Sequence, residues 1–137
     1  MRNKKPILLV EDDVVDQMTV KRAFHDLNIT NRLDIAGNGV EALDLLLHPE
    51  NERPCLILLD LNMPKMNGIE FLGIVKQDKL LKIIPVVVLT TSKEERDRVE
   101  SFKLSVAGYI VKPVDYMQFV EAVRTIDLYW TFSELPE

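Results

Sequence analysis

Residues 86–99 read VVVLTTSKEERDRV and join a predicted strand to a predicted helix. The apolar run at 86–89 is typical of a strand buried on both faces, as in a parallel sheet. Ser92 and Glu95 form a capping-box pattern, which predicts that a helix begins here. Thr90 is left at the carboxyl end of the strand, where open α/β sheets bind their ligands. It is therefore a candidate site residue, although an ordinary strand threonine bonded to backbone would also fit.

The same alternation of strand and helix extends through the whole chain. Short apolar runs predict strands at residues 7–10, 32–36, 56–59, 86–89 and 108–111. Helical periodicity predicts helices at about residues 14–27, 39–47, 68–79, 93–102 and 115–130. In the first helix, the apolar residues near helical spacing are Val14, Met18, Phe24 and Leu27. Five βα units predict an α/β fold: a doubly wound, five-stranded parallel sheet of flavodoxin-like order 2-1-3-4-5, with helices on both faces.

Length and charge limit the classes of function. The 137 residues suffice for one core, so we predict a single domain over 1–137, with an extended C-terminal helix and tail at about 115–137 and no output domain. The 17 basic and 22 acidic residues give a net charge of −5 without a basic run, which argues against nucleic-acid binding. No apolar run has the length of a signal peptide or membrane span, so we expect a cytoplasmic protein that does not bind membranes.

Charged and polar residues gather at the predicted carboxyl ends of the strands. They are Glu11-Asp12-Asp13, Asp60, Thr90 and Lys112-Pro113. Because parallel strands end at the same edge, we expect these side chains to lie close together. Clustered carboxylates disfavour one another's charge unless a cation is bound, and Mg²⁺ best combines few carboxylates with water and phosphate ligands. An acidic cluster that merely caps the first helix would explain Asp13 but not the other acids.

Asp60 is the residue to which this chemistry points. It begins DLNMPKMNG, where Asn67-Gly68 is a turn signal and Pro64 blocks an early helix, so we expect its carboxylate on a loop above its strand. A carboxylate beside a metal can act as a ligand or as a nucleophile that forms an acyl phosphate. Lys112 and Thr90 are the types of group that could stabilise the phosphoryl oxygens.

These motifs together resemble the receiver domains of two-component response regulators over nearly the full chain. The matching features are the acidic pair Glu11-Asp12, the pattern D-x-x-M-P-x-x-N-G from Asp60, the strand-ending Thr90 and Lys112-Pro113. The combination is far more specific than any one motif. The resemblance implies a phosphoprotein that takes a phosphoryl group from a sensor histidine kinase onto Asp60 and relays the signal by protein–protein contact.

The resemblance also implies a cofactor and a set of residue roles. Mg²⁺ (or Mn²⁺) would be bound by Asp12, Asp60, the backbone carbonyl of Asn62 and, via water, Glu11. Whether Asp13 contacts the metal is left open. Lys112 would pair with the phosphoryl group, and its peptide bond to Pro113 would be cis. Such a protein is not a dedicated enzyme, although magnesium-dependent self-phosphorylation from a phosphodonor and autodephosphorylation are expected.

The resemblance further predicts how the signal is received and passed on. Thr90 and Tyr109 occupy the switch positions, with the tyrosine turning inward when the threonine binds phosphate. The connection 48–54, the sequence LTTS at 89–92 and the tail 129–136 look like stand-alone regulators associated with bacterial phytochromes. Predicted partners are a sensor kinase, which would be phytochrome-type in that case, and a downstream protein target. A homodimer through the fourth helix, fifth strand and fifth helix is a further prediction.

The last predicted helix has two apolar sides. Its sheet-facing side comprises Phe119, Ala122, Val123, Ile126 and Trp130. Leu128 and Phe132 fall on roughly the opposite side, where a monomer would usually carry charge. We expect this second side, with Tyr109, to contact a partner or a second copy, unless the tail folds back over it.

Other classes of function remain open at this point. A phosphatase with Asp60 as nucleophile needs a general acid two residues later, where this chain has Asn62. A phosphorelay intermediate would use the same acceptor. A flavodoxin-like cofactor binder would need a phosphate loop where three acids stand. A phosphohistidine carrier through His25 would need a helical bundle rather than an α/β alternation.

Overall fold

The computed structural model describes residues 4–61, 63, 65–90, 93–101, 103–111 and 115–132. The strands are β1 (Ile7–Val10), β2 (Leu33–Ala36), β3 (Leu56–Asp60), β4 (Val86–Thr90) and β5 (Gly108–Val111). The helices are α1 (Val14–Asp26), α2 (Gly39–Leu47), α3 (Gly68–Gln77), α4 (Lys93–Ser101) and α5 (Tyr116–Phe132). All ten predicted elements are confirmed, and a short 3-10 helix at Leu81–Ile83, which was not predicted, precedes β4.

The five strands form one parallel sheet in the predicted order β2-β1-β3-β4-β5. Residues of β1, β3 and β4 are buried throughout, as the continuous apolar runs predicted. β2 is an edge strand with only half-buried residues before Ala36, and an exposed Arg32–Asp34 ion pair lies beside it. Charge on an edge strand disfavours pairing with another sheet.

Alternate residues of the central strands face two separate apolar cores. On one face, Leu8, Ile57 and Val86 pack with residues of α2 and α3 and with Val99 of α4. On the other face, Leu9 and Val87 pack with residues of α1 and α5. The sheet is therefore covered on both sides, and its carboxyl edge is held between two packed layers.

The apolar face of α1 differs from the one that periodicity indicated. Val14 and Met18 are 64% and 62% exposed, whereas Val20, Ala23 and Phe24 are buried. The helix starts beyond the carboxyl end of β1, so its first turn lies past the sheet and only its later turns pack on it. Helical spacing identified the helix correctly but could not show which turns have a partner.

The sheet-facing side of α5 agrees with the prediction where its side chains are described. Phe119 and Val123 are buried, and Ala122 and Ile126 pack against the same core, to which Val120 adds a further buried residue. The side chains of Trp130 and Phe132 lie outside the described residues. Among the helices that are described, none is long and apolar enough to cross a membrane.

Candidate functional site

Strand register places the predicted acids side by side. Val10 of β1 aligns with Leu59 of β3, so Glu11 and Asp60 are the next residues of two neighbouring strands. Asp60 in turn aligns with Leu89 of β4, one residue before Thr90. The site therefore lies at the carboxyl ends of the three most deeply buried strands. The register of these strands fixes where Glu11, Asp60 and Thr90 lie relative to one another.

Three carboxylates converge at this edge. One carboxylate oxygen from each of Glu11, Asp12 and Asp60 lies within 4.8 Å of the other two. Glu11 is only 1% exposed and Asp60 5% exposed, whereas Asp12 is exposed. Charges this close and this poorly solvated repel one another, and a cation offers the strongest compensation. Three hard oxygen donors with access to solvent on one side fit a small divalent ion such as Mg²⁺ or Mn²⁺.

Glu11 is fixed by hydrogen bonds to its backbone and side chain. Its N–H donates to the carbonyl of Ala36 (2.9 Å), and its carbonyl accepts from Nε2 of Gln17 (2.7 Å). Its Oε1 accepts from the backbone N–H of Asp13 (3.1 Å). No sequence motif marks Gln17 for this role, because the contact depends on where the first turn of α1 lies relative to the residue that follows β1.

Asp13 has a structural role in the helix. Its Oδ1 accepts from the N–H groups of Val15 (2.8 Å) and Asp16 (3.2 Å), so Asp13 is the N-cap of α1. It does not belong to the group of three converging carboxylates found among the described residues. The capping explanation therefore accounts for this acid, while Glu11, Asp12 and Asp60 form the cluster.

Asp60 is the last residue of β3 rather than a loop residue, and the loop after it ends at Asn67, where the predicted helix begins. Asn67 is the N-cap of α3, with its Oδ1 accepting from the N–H of Glu70 (2.9 Å), and Gly68 is the first helical residue. The residue with left-handed backbone is Lys65, at φ 62°. A methyl group on Gly68 would lie 2.6 Å from Cα of Leu61 and 2.7 Å from the carbonyl oxygen of Asp60. This glycine is thus required for close packing of α3 against the aspartate.

Thr90 and Tyr109 lie on the neighbouring strands β4 and β5. Thr90 is 1% exposed at the end of β4, while Tyr109 of β5 aligns with Val88, two residues earlier. The guanidinium of Arg96 on α4 lies over the tyrosine ring, 4.9 Å from its centre. Burial, and then the charge of Glu100, raise the pKa of the Tyr109 hydroxyl, while Arg96 opposes them. The hydroxyl therefore stays protonated at neutral pH and can donate a hydrogen bond.

Several predicted site residues lie outside the described residues. They are Asn62, Lys112 and Pro113, together with Thr91 and Ser92 of the LTTS sequence. The metal-binding carbonyl of residue 62, the phosphoryl contact of residue 112 and the cis peptide bond between residues 112 and 113 remain predictions.

Comparison with known proteins identifies the family. The family model described as "Response regulator receiver domain" matches residues 7–124. The chain belongs to the response regulator receiver domain family. Members of this family act as phosphoacceptor switches in two-component signalling. The acids, Thr90 and Tyr109 described above therefore lie in a receiver domain.

Similar proteins connect this receiver with phytochrome-associated regulators. Response regulator Rcp1 of Synechocystis is 40% identical over 130 residues, which cover 92% of this chain and 88% of Rcp1. The crystal structure of the phosphorylated cyanobacterial phytochrome response regulator RcpA superposes with a TM-score of 0.83 at 37% identity, covering 97% of both chains.

Phytochrome-associated proteins are not the sole class at this level of similarity. The probable methanogenesis regulatory protein FilR2 of Methanothrix harundinacea is also 40% identical, over 127 residues that cover 90% of this chain and 82% of FilR2. Identity at this level therefore shows the family more strongly than the input signal.

Removing Asp12 should stabilise the metal-free protein. We expect Asp12→Ala to raise the melting temperature in a chelator by about 2–6 °C, because relief of one close repulsion contributes about 1 kcal/mol. Added Mg²⁺ should raise the melting temperature of the wild type more than that of the variant. Differential scanning calorimetry with and without Mg²⁺ measures both effects. Asp44→Asn, on the exposed side of α2, is the control for a changed net charge; a lower metal-free midpoint for Asp12→Ala would contradict the prediction.

Proposed function

We propose that Asp60 accepts a phosphoryl group from the phosphohistidine of a sensor histidine kinase. The observation that supports this most is the convergence of the Asp60 carboxylate with those of Glu11 and Asp12 within 4.8 Å. A buried carboxylate in such a cluster can act both as a nucleophile and as a ligand for a cation that neutralises its surroundings. Glu11 is the other buried carboxylate of the cluster, but it lies beyond the end of β1 and already accepts from the backbone N–H of Asp13, whereas Asp60 ends the central strand β3 next to Thr90.

The proposed metal site uses the donors that converge at this edge. Asp12 and Asp60 would bind Mg²⁺ or Mn²⁺ directly, Glu11 through water, and Asn62 through its carbonyl. A similar solved structure, the Mn²⁺-bound form of Rcp1, has a TM-score of 0.83 at 38% identity and covers 98% of this chain and all of that chain. When bound, the cation offsets negative charge on the carboxylates and on the phosphoryl oxygens.

The chain's own residues carry out the transfer in this proposal. A carboxylate oxygen of Asp60 forms the new bond to phosphorus while the bond from phosphorus to the histidine nitrogen breaks, and the imidazole leaves. Lys112 pairs with a phosphoryl oxygen, and the buried hydroxyl of Thr90 donates to another. The same groups would allow transfer from small phosphodonors and slow hydrolysis of the acyl phosphate, so the protein is a switch with limited self-catalysed chemistry rather than a dedicated enzyme.

Replacement of the acceptor tests this proposal directly. We expect Asp60→Asn to abolish phosphorylation by a histidine kinase and by acetyl phosphate, because an amide is not a comparable nucleophile. Phosphate-affinity electrophoresis and intact mass spectrometry measure incorporation, and alkaline lability identifies an acyl phosphate. Asp44→Asn should be phosphorylated like the wild type. Undiminished incorporation into Asp60→Asn at another residue would refute the assignment.

Thr90 and Tyr109 would convert phosphorylation into a change of surface. The Thr90 hydroxyl moves toward the phosphoryl oxygen, and the Tyr109 ring follows into the space that is vacated. Arg96 holds the ring from the side of α4 at 4.9 Å. Movement of this tyrosine would therefore change the surface of β5 and, through Arg96, that of α4.

Loss of the Thr90 hydroxyl should separate phosphorylation from signalling. We expect Thr90→Ala to retain Asp60 phosphorylation within about tenfold of the wild-type rate, because the nucleophile and its acidic neighbours remain. The phosphorylation-dependent change in the NMR signal of the Tyr109 amide should be lost. Thr19→Ala, which removes an exposed hydroxyl on α1, is the control. A wild-type response of that signal in Thr90→Ala would exclude the switch role.

The signal would leave through the surface formed by α4, β5 and α5. Leu128 on α5 is 48% exposed, and Tyr109 is half-buried at the edge of the sheet. We propose that this surface contacts a downstream protein and a second copy of the chain, and that the donor kinase is of the phytochrome type, as the similarity to RcpA and Rcp1 suggests.

A charge on this surface should prevent self-association. We expect Leu128→Glu to remain monomeric when the phosphorylated wild type dimerises, because two carboxylates would be buried at a symmetric contact. Multi-angle light scattering, with and without a phosphoryl mimic, measures the mass. Met117→Glu adds the same charge at a 65% exposed position near the start of α5 and should have the same mass as the wild type in both states. A monomeric wild type in both states would rule out the homodimer.

A further inference from the structure

The turn between β2 and α2, residues 36–39, contacts both halves of the acidic site. At one end, the carbonyl of Ala36 accepts from the backbone N–H of Glu11 (2.9 Å). At the other end, the N–H of Gly39 donates to the carbonyl of Met66 (3.3 Å), in the loop that follows Asp60. Ala36 and Gly39 carry no side chain that could bind a metal, so a search for metal-ligand motifs in the sequence does not reveal this contact.

The contact between Gly39 and Met66 leaves no room for a larger residue. A methyl group on Gly39 would lie 2.8 Å from Cγ, 2.9 Å from Sδ and 3.0 Å from Cβ of Met66. Gly39 has no left-handed backbone, because all three residues of positive φ in the described chain are non-glycine. The glycine is therefore needed for close approach of the loop and not for its own conformation.

The helix end that receives Met66 is rigid. Asn38 is 4% exposed and caps α2, with its Oδ1 accepting from the N–H of Glu41 (3.0 Å). The Nδ2 of Asn38 donates in return to Oε2 of Glu41 (2.9 Å). This reciprocal pair holds the first turn of α2 in place. We therefore expect a larger side chain at position 39 to displace Met66 rather than the first turn of α2.

The loop itself is attached at both of its ends. Near Asp60, the N–H of Leu61 donates to the carbonyl of Leu89 (3.4 Å), and its carbonyl accepts from Gly68 (3.0 Å). Toward the other end, Met66 is held by Gly39. Asn62, the proposed carbonyl ligand, falls between these two attachments in the sequence.

We propose that Gly39 and Met66 are positioning residues. They set the separation between the two acids that follow β1, Glu11 and Asp12, and the loop that follows Asp60, and thereby set the affinity of the site for the divalent cation. The turn at 36–39 acts as a spacer: Ala36 holds Glu11 at one end, and Gly39 holds the loop at the other. This inference rests on the proposed metal site and adds two residues that do not touch the metal.

Manganese binding to the unphosphorylated full chain tests the proposal without any transfer reaction. Isothermal titration with Mn²⁺ compares the wild type with Gly39→Ala, Met66→Ala and the double variant. Gly39→Ala should weaken Mn²⁺ binding about tenfold, as loss of an indirect support of a metal site commonly does. In the Met66→Ala background only the Cβ of residue 66 remains near the added methyl group, at 3.0 Å, so the same change should cost less than about twofold, and the difference measures the coupling.

Two controls separate positioning from a general loss of structure. Gly73→Ala replaces a glycine within α3 whose added methyl would meet no described atom within 4 Å, and it should bind Mn²⁺ like the wild type. Melting in a chelator reports folding for every variant. Met66→Ala alone should weaken binding about threefold through loss of the side-chain anchor, which keeps the proposal testable if Gly39→Ala does not fold.

The outcomes distinguish this inference from the proposed function. Wild-type affinity in folded Gly39→Ala or in Met66→Ala would overturn the positioning role alone, as would an equal cost of Gly39→Ala in both backgrounds. A wild-type protein that binds no Mn²⁺ would overturn the metal site and this inference with it. Failure of Asp60 to accept a phosphoryl group, with the predicted Mn²⁺ affinities intact, would refute the proposed acceptor and leave the positioning role in place.

Discussion

Mutual repulsion among Glu11, Asp12 and Asp60 is the constraint around which this domain is organised. Carboxylate oxygens within 4.8 Å of one another, two of the residues almost wholly buried, would separate if the surrounding structure allowed it. They are held together because β1 and β3 are neighbours in a sheet packed on both faces. The free energy of core packing thus helps to hold together an arrangement that a bound cation would stabilise.

The supports of the cluster come from three different connections. The first turn of α1 fixes Glu11 through Gln17, the start of α3 packs against the carbonyl of Asp60 through Gly68, and the β2–α2 turn reaches the Asp60 loop through Gly39. Each support is a backbone contact or a close approach rather than an ion pair. These three contacts set the positions of the acids without adding charge of their own.

The proposed transmission of the signal would depend on a different property of the same sheet. Thr90 ends β4 beside the cluster, and Tyr109 lies on the edge strand β5, half-buried against one of the two cores. Arg96 over the ring links this strand to α4. A movement of a few ångströms at the edge of a rigid sheet can therefore alter a surface while the fold is unchanged, which is the type of transition that a phosphorylation switch requires.

The sequence by itself determined the fold class, the strand order and the convergence of the acids, because these follow from local patterns. Apolar runs mark buried strands, helical spacing marks helices, and parallel strands in alternation with helices end at one edge. The same logic named Glu11, Asp12, Asp60 and Thr90, and the family resemblance added roles that spacing alone does not define.

Only the tertiary structure decided which contacts each residue makes. Val14 and Met18 have helical spacing but are exposed, since the buried residues of α1 begin only at Val20, in the part of the helix that packs on the sheet. Asp13 follows two acids of the cluster yet caps a helix, and Asp60 ends a strand where a loop was predicted. The approach of Gly39 to Met66 joins segments that are far apart in the chain. A local sequence pattern does not predict the distances between such segments, because these distances are set by how the layers pack.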